Sequence, residues 1–296
     1  YFKEKDFEKM LDSVSHYYDE PFGDFSNFPT LFVSKLARKY VTVALSGDGG
    51  DEIFGGYQNH VIAAQLTLLN KIPRILRKIA YHLLPLASLA TLRGKIKEAF
   101  RLSLCKKEEF WSEIGANFVY KPETYKKWAR QKMSDMLALC NNDLTEAVIR
   151  YDLAFNTLGD NFLTKVDRAS MAHALEVRSP YLDYRFIELS AKLPTKWKVN
   201  PFKTKILMRE IIKDLLPKEI VNRGKQGFTP PLAQWIQKKE YDLEIKKAIT
   251  ILHKKNLLTD TWKEFYVNRV MKNNTEVYNN YRIRMLLLWK WHAKWG

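Results

Sequence analysis

Residues 41–57, VTVALSGDGGDEIFGGY, constrain this chain more than any other stretch. Val41 to Leu45 form an apolar run rich in β-branched residues and closed by glycine, which reads as a buried parallel strand. Five of the 12 glycines fall between positions 47 and 56, so the backbone there must take left-handed angles and leave its amides open to a close neighbour. Asp48, Asp51 and Glu52 crowd the same turn. Carboxylates this close repel one another unless a cation, or a polyphosphate with its magnesium, shares the space. At a strand's carboxyl end such a turn reads as a metal-nucleotide site. The plainer alternative is a bend that only reverses the chain.

Two other stretches carry chemistry-bearing side chains. Residues 159–183, GDNFLTKVDRASMAHALEVRSPYLD, place Lys165, Asp167 and Arg168 ahead of Glu176, Arg178 and Asp183. By residue type alone they are either a structural ion-pair network, with Pro180 fixing a turn, or one wall of a site. Residues 220–231, IVNRGKQGFTPP, flank Lys225 with two glycines and end in two prolines. That pattern describes a loop able to close over a site, or an exposed lysine in a turn.

Together these strings resemble known signatures. SGDGGDEIFGGY resembles the first signature of the asparagine synthetase family's amide-forming domain, in the ATP-pyrophosphatase group. The 165–183 block is similar to that family's second signature, and residues 223–231 to a loop that bears its charge-stabilising lysine. The likeness extends over nearly the whole chain and is strongest at 45–57, 165–183 and 223–231. It implies a predominantly helical α/β fold with an incomplete Rossmann-like (adenine nucleotide alpha hydrolase-like) parallel sheet and a large helical C-terminal portion.

Carried over by position, the resemblance gives Ser46 and Gly47 contact with the adenylate. Asp48 stands beside the acyl-adenylate, and Asp51 helps hold magnesium pyrophosphate, making it the metal ligand. Lys165 and Arg168 join the cofactor-binding set, with Asp167, Glu176 and Arg178 supporting the wall opposite the turn. Lys225 stabilises phosphoryl and tetrahedral negative charge, so Asp48 and Lys225 are the catalytic pair and ATP and Mg2+ the cofactors. Asp48 departs from the pattern, since well-known members carry Glu there.

The expected reaction converts aspartate to asparagine through an acyl-adenylate, with ammonia drawn from glutamine. Two alternatives stay open. One is the same chemistry on another carboxylate, such as a sugar acid, peptide or β-amino acid, and the other is a non-catalytic fragment that binds a partner. The family's phosphate-gripping loop, S-G-G-x-D-S, has no counterpart, and Ser46-Gly47 is the only Ser-Gly pair. Residues 1–296 are therefore expected to be one partial synthetase domain, inactive alone, with the first strands, that loop and a glutaminase domain outside it. An open sheet edge and apolar surface would favour self-association into a homo-oligomer.

Composition narrows the partners. With 46% hydrophobic and 28% charged residues the chain is globular, and no apolar run reaches the roughly 18 residues of a membrane span. No signal-peptide stretch opens it, so a cytoplasmic protein with no membrane partner is expected. Cys105 and Cys140 lack zinc-site spacing and read as reduced thiols; the six histidines also lack ligand spacing. The net charge of +16 raises the question of nucleic acid. Between Lys71 and Lys107 ten Lys or Arg accompany a single acid, Glu98, but in helical period and without an aromatic-studded basic strand. A solvated basic face or an acidic partner fits that segment better than specific nucleic-acid recognition.

Periodicity predicts a helix over 1–19 ended by Pro21, a second capped by Thr30 and running through Lys39, and the strand from Val41. Beyond Tyr57 the period is overwhelmingly helical. Residues 176–179 and 197–199 are the extended exceptions, residues 143–174 a long helical stretch broken near Gly159, and 202–215 a helix stopped by Pro217. From residue 237 onward a helical tail ends in Trp289, Trp291 and Trp295, read as a packing stripe.

Overall fold

The structure is a computed structural model that describes residues 2–84, 92–114, 122–156, 158–224 and 226–296. In chain order these form α1 (Glu4–Tyr17), α2 (Asn27–Ala37), β1 (Val43–Leu45), α3 (Gly50–Ile53), α4 (Gln58–Leu69), α5 (Arg74–Leu83) and α6 (Leu92–Leu104). Next come α7 (Phe110–Glu113), α8 (Glu123–Leu139), α9 (Leu144–Tyr151), α10 (Thr164–Met171), β2 (Glu176–Arg178), α11 (Tyr184–Lys192), α12 (Thr195–Lys198) and α13 (Ile206–Ile212). The chain finishes with α14 (Lys218–Val221), α15 (Leu232–Trp235), α16 (Lys239–Lys254), α17 (Asp260–Phe265) and α18 (Glu276–Trp295). Two compact units share the chain. The first is Tyr1–Leu45, Thr164–Arg178 and Gln226–Gly296, and the second is Ser46–Leu163 and Ser179–Lys225.

The first unit is built on the apolar stripe of α1. Phe7, Leu11 and Val14, spaced three and four residues apart, pack with Tyr18, Phe28, Ile245, Leu252, Ile283 and Leu286. α2 begins at Asn27, earlier than the Thr30 start read from sequence. Asp24 Oδ1 accepts both the Ser26 backbone N–H at 2.9 Å and its hydroxyl at 2.8 Å, turning the chain ahead of that threonine. Thr30 instead sits inside the helix and donates its hydroxyl to the Ser26 carbonyl at 2.6 Å. β1 and β2 pair in parallel, with Val43 opposite Glu176, Ala44 opposite Val177 and Leu45 opposite Arg178. The parallel pairing agrees with the sequence reading; the burial does not. Leu45 is 74% exposed and Val43 40%, because among the described residues the sheet has two strands, too few to cover both faces.

In the second unit, α8 and α9 supply a core of Met133, Leu137, Ala147, Val148 and Tyr151, joined by Ala63 and Leu66 of α4. Trp111 stacks on Tyr151 at 5.2 Å between centroids. Asp143 caps α9 by accepting the backbone N–H groups of Thr145 and Glu146. The expected break near Gly159 is a widening into π turns at Asp152–Asn156 and Leu158–Leu163. Of residues 197–199 only Val199 is extended: Pro194 starts the turn of α12, which takes in Trp197 and Lys198, and the buried Lys198 reaches both Glu146 carboxylate oxygens at 3.0 Å. The helix expected over 202–215 contracts to α13. Lys205 caps it with a left-handed φ of 51°, which ends any helix entering from Phe202.

Candidate active site

The glycine-rich turn opens the second unit. Gly49 has φ 90°, and a Cβ there would lie 2.2 Å from Leu182 Cδ2, so both its angle and the packing demand glycine. That contact joins the first signature to the second. Around it, Ser46 Oγ lies 2.8 Å from Ser179 Oγ, and the Phe54 ring meets Phe186 edge to face at 5.8 Å. A Cβ on Gly47 would meet nothing within 4 Å, leaving open space over that residue.

The three carboxylates of the turn diverge rather than pool their charge. Asp48 accepts the Ser46 hydroxyl at 2.8 Å. Asp51 pairs with Lys205 Nζ at 2.8 Å, and a Cβ on Gly56 would fall 1.8 Å from Asp51 Oδ1 and 2.6 Å from Lys205 Cε. The ion pair thus lies against a bare glycine backbone. Glu52 is buried and accepts the Tyr57 hydroxyl at 2.5 Å. Burial pushes the Glu52 carboxyl above its ordinary range, only partly opposed by that hydrogen bond, and the Tyr57 phenol is raised by burial and by Glu52. Behind them His60 Nδ1 faces the Tyr57 backbone N–H at 3.4 Å, and its Nε2 meets Asp152 Oδ2 at 2.8 Å. Asp152 also accepts Asn156 Nδ2 at 2.7 Å, so a buried polar chain runs from the turn into the π segment.

By residue type Lys203, Lys205 and Arg209 could each face solvent or substrate, with solvent the default. The structure gives Lys205 and Arg209 a place. Arg209 donates to the carbonyl oxygens of Thr204 at 3.0 Å, of Arg223 at 3.1 Å and of Val221. Lys225 lies outside the described residues, but the segment leading to it is tied by Arg209 to the helix whose cap neutralises Asp51. Met208 of that helix also lies near Gly50, 3.8 Å from where a Cβ would sit. The sequence signal for both residues was faint: a lysine and an arginine four apart ahead of a glycine-flanked lysine.

Lys165 and Arg168 belong to the first unit, where each has partners. Lys165 is buried, with Nζ 3.1 Å from Asp24 Oδ2 and 2.7 Å from Ser26 Oγ, and its carbonyl accepts the Tyr18 hydroxyl at 3.0 Å. Arg168 pairs with Asp19 at 3.0 Å and Arg178 with Glu176 at 2.7 Å, while Asp167 is exposed. Asp183 caps α11, and Arg185 holds its carboxyl down to about 2.

No group of three His, Cys, Asp or Glu side chains able to cage a metal occurs among the described residues. Cys105 and Cys140 are unbridged thiols, and no described helix is long and apolar enough to cross a membrane.

The asparagine synthase family model matches residues 1–292. This chain belongs to the asparagine synthase family. Membership places it in the adenine nucleotide alpha hydrolase-like fold, of which the parallel β1–β2 pair is the described part. A Methanocaldococcus jannaschii protein provisionally named asparagine synthetase (glutamine-hydrolyzing) 2 is 52% identical over 173 residues, 58% of this chain and 34% of that protein. Asparagine synthetase (glutamine-hydrolyzing) 1 of Bacillus subtilis is 28% identical over 247 residues, 79% of this chain and 38% of its own length. A Mycobacterium bovis protein provisionally named asparagine synthetase (glutamine-hydrolyzing) is 30% identical over 240 residues, covering 78% and 36% respectively. The chain spans about a third of the length of these relatives.

Proposed function

We propose that this family member carries out ATP-dependent amide formation, converting aspartate to asparagine with ammonia derived from glutamine. A carboxylate is a poor acyl donor; its attack on the α-phosphorus of ATP, with pyrophosphate leaving, would give an acyl-adenylate from which ammonia displaces AMP. The turn supports this reading: open space over Gly47 lies on the same bend as Ser46, Asp48 and the Asp51–Lys205 pair. Ser46 and Gly47 would seat the adenylate, with Ser46 oriented by Asp48 and Ser179. Lys205, already beside Asp51, would face the developing negative charge of the departing phosphates, and Lys225 would add a second cation. Magnesium bound at Asp51 would neutralise pyrophosphate charge. Asp48 stands where attacking ammonia must lose a proton.

A second reading keeps the chemistry and changes the acid. Asp48 replaces the longer Glu of well-known members and spends one oxygen on Ser46, so the acyl pocket beside it differs in reach. Aspartate-dependent exchange of pyrophosphate into ATP tests the first reading, measured on this chain and on the full gene product. Exchange that ignores aspartate but responds to a sugar acid or β-amino acid would transfer the assignment to the second. Absence of exchange with every acid, in the full gene product as well, would leave only partner binding.

A further inference from the structure

The segment from Lys71 to Lys97 contains no acidic residue, and α5 within it is turned inside out. Its buried face carries Arg77, whose guanidinium donates to the Ile72 carbonyl at 3.0 Å, to Asn70 Oδ1 at 2.6 Å and to the Ser103 carbonyl. Its solvent face carries Ile75, Leu76, Ile79 and Leu83, all exposed, Ile75 by 74% and Leu83 by 78%. At about 100° per residue these four fall within an arc of about 100°, roughly opposite Arg77. Ile72, exposed just before the helix, extends the stripe. Lys71, Lys78 and His82 run along one flank of it, all exposed, and Arg74 lies further round.

A helix that buries its arginine and exposes its isoleucines has been held by its fold for something apolar outside. The flanking charge says what kind of surface that is. Neighbouring α6 adds exposed Arg93 and Lys95, and the next acid along the chain, Glu98, is engaged by Arg101. Protein interfaces favour aromatic residues and disfavour Lys, whereas aliphatic ridges edged with Lys are the pattern of helices lying in a lipid headgroup layer. Ile96 of α6 and Leu68 of α4, both exposed, also line an aliphatic cavity of about 660 Å³. That recess adjoins the same α6 surface.

We propose that α5 and the start of α6 form a peripheral docking surface for an anionic membrane, with Ile75, Leu76, Ile79 and Leu83 entering the acyl boundary and the lysines meeting the headgroups. The expectation of no membrane partner rested on the lack of a spanning run, and an interfacial helix needs none. The proposal does not depend on which acid the enzyme activates.

Sedimentation of the full chain with phosphatidylcholine vesicles, with and without phosphatidylglycerol, tests it. The chain should pellet with the anionic vesicles, less so as salt is raised, and several-fold less with the neutral ones. Ile79→Asp should weaken binding by about tenfold or more, and Lys78→Gln by about fivefold. Both side chains are exposed, so the variants should keep the parent's melting curve. No binding to anionic vesicles overturns the proposal, as does binding that Ile79→Asp leaves intact. So does a parent oligomer that Ile79→Asp dissolves without lipid, since a second copy would then be the occupant.

Discussion

Lys205 illustrates what a chain conceals when read linearly. Three acids in one glycine-rich bend announce that a cation must be present, but not that the chain itself brings one from 154 positions onward. Its left-handed φ of 51° is the cost of aiming Nζ at Asp51. Lys205→Met should therefore lower the rate of pyrophosphate exchange by about 100-fold, with Lys205→Arg recovering part of it; an unchanged rate would remove Lys205 from the site. Gly56→Ala must displace the ion pair from the backbone it rests on, and thermal unfolding should show a loss of about 1–3 kcal/mol. Glu52 carries a pH signature. Its folded-state pKa is raised by burial, so the folded protein binds more protons than the unfolded one between the ordinary Glu range and the raised value. Stability from this group is complete below the unfolded pKa and lost as pH rises through the folded one. In melts across that window, Glu52→Gln should lack this fall, and a parallel dependence in parent and variant would contradict it. Gly49, by contrast, was legible from the sequence, because clustered glycines point to left-handed angles whatever packs around them.

At the scale of elements, parallel pairing and helix content could be read from periodicity, while burial could not. Val43 and Leu45 have the composition of a covered strand, but composition does not report how many strands stand alongside. The error at 197–198 has a similar origin: Trp favours strands, yet Pro194 and the pull of Glu146 on Lys198 settle a helical turn, and only Val199 is extended. Lys198→Met would leave Glu146 to Arg150 and Thr195 and should cost about 3 kcal/mol, measured by denaturant unfolding. The Lys225 loop was legible as a loop, but its tether was not, since Arg209 acts through carbonyl oxygens that no residue code displays. Arg209→Ala should free the segment after Val221, seen as faster proteolysis between residues 223 and 231 and a lower exchange rate. Equal cleavage of parent and variant would deny the tether.

The whole molecule distributes its motifs across two units with separate cores. The first signature and residues 179–183 of the second share one unit, while Lys165, Arg168 and Glu176 belong to the other. Sequence similarity treats residues 165–183 as a single block; the fold cuts it between Arg178 and Ser179. Family membership was readable because three strings match at once, whereas the division of labour within the second string required coordinates. Hydrogen exchange should follow the cut, with amides of α1, α16 and α18 opening together and those of α4, α8 and α9 opening as another set.

The Asp51–Lys205 contact carries one more implication. A chain that supplies its own counter-charge to Asp51 needs no divalent ion to hold that bend. If magnesium binds Asp51 as proposed, it would compete there with the Lys205 ammonium, and chelation should stop pyrophosphate exchange while leaving the melting temperature where it was. Turnover in such a protein would answer to the magnesium supply, and its survival in the cell would not.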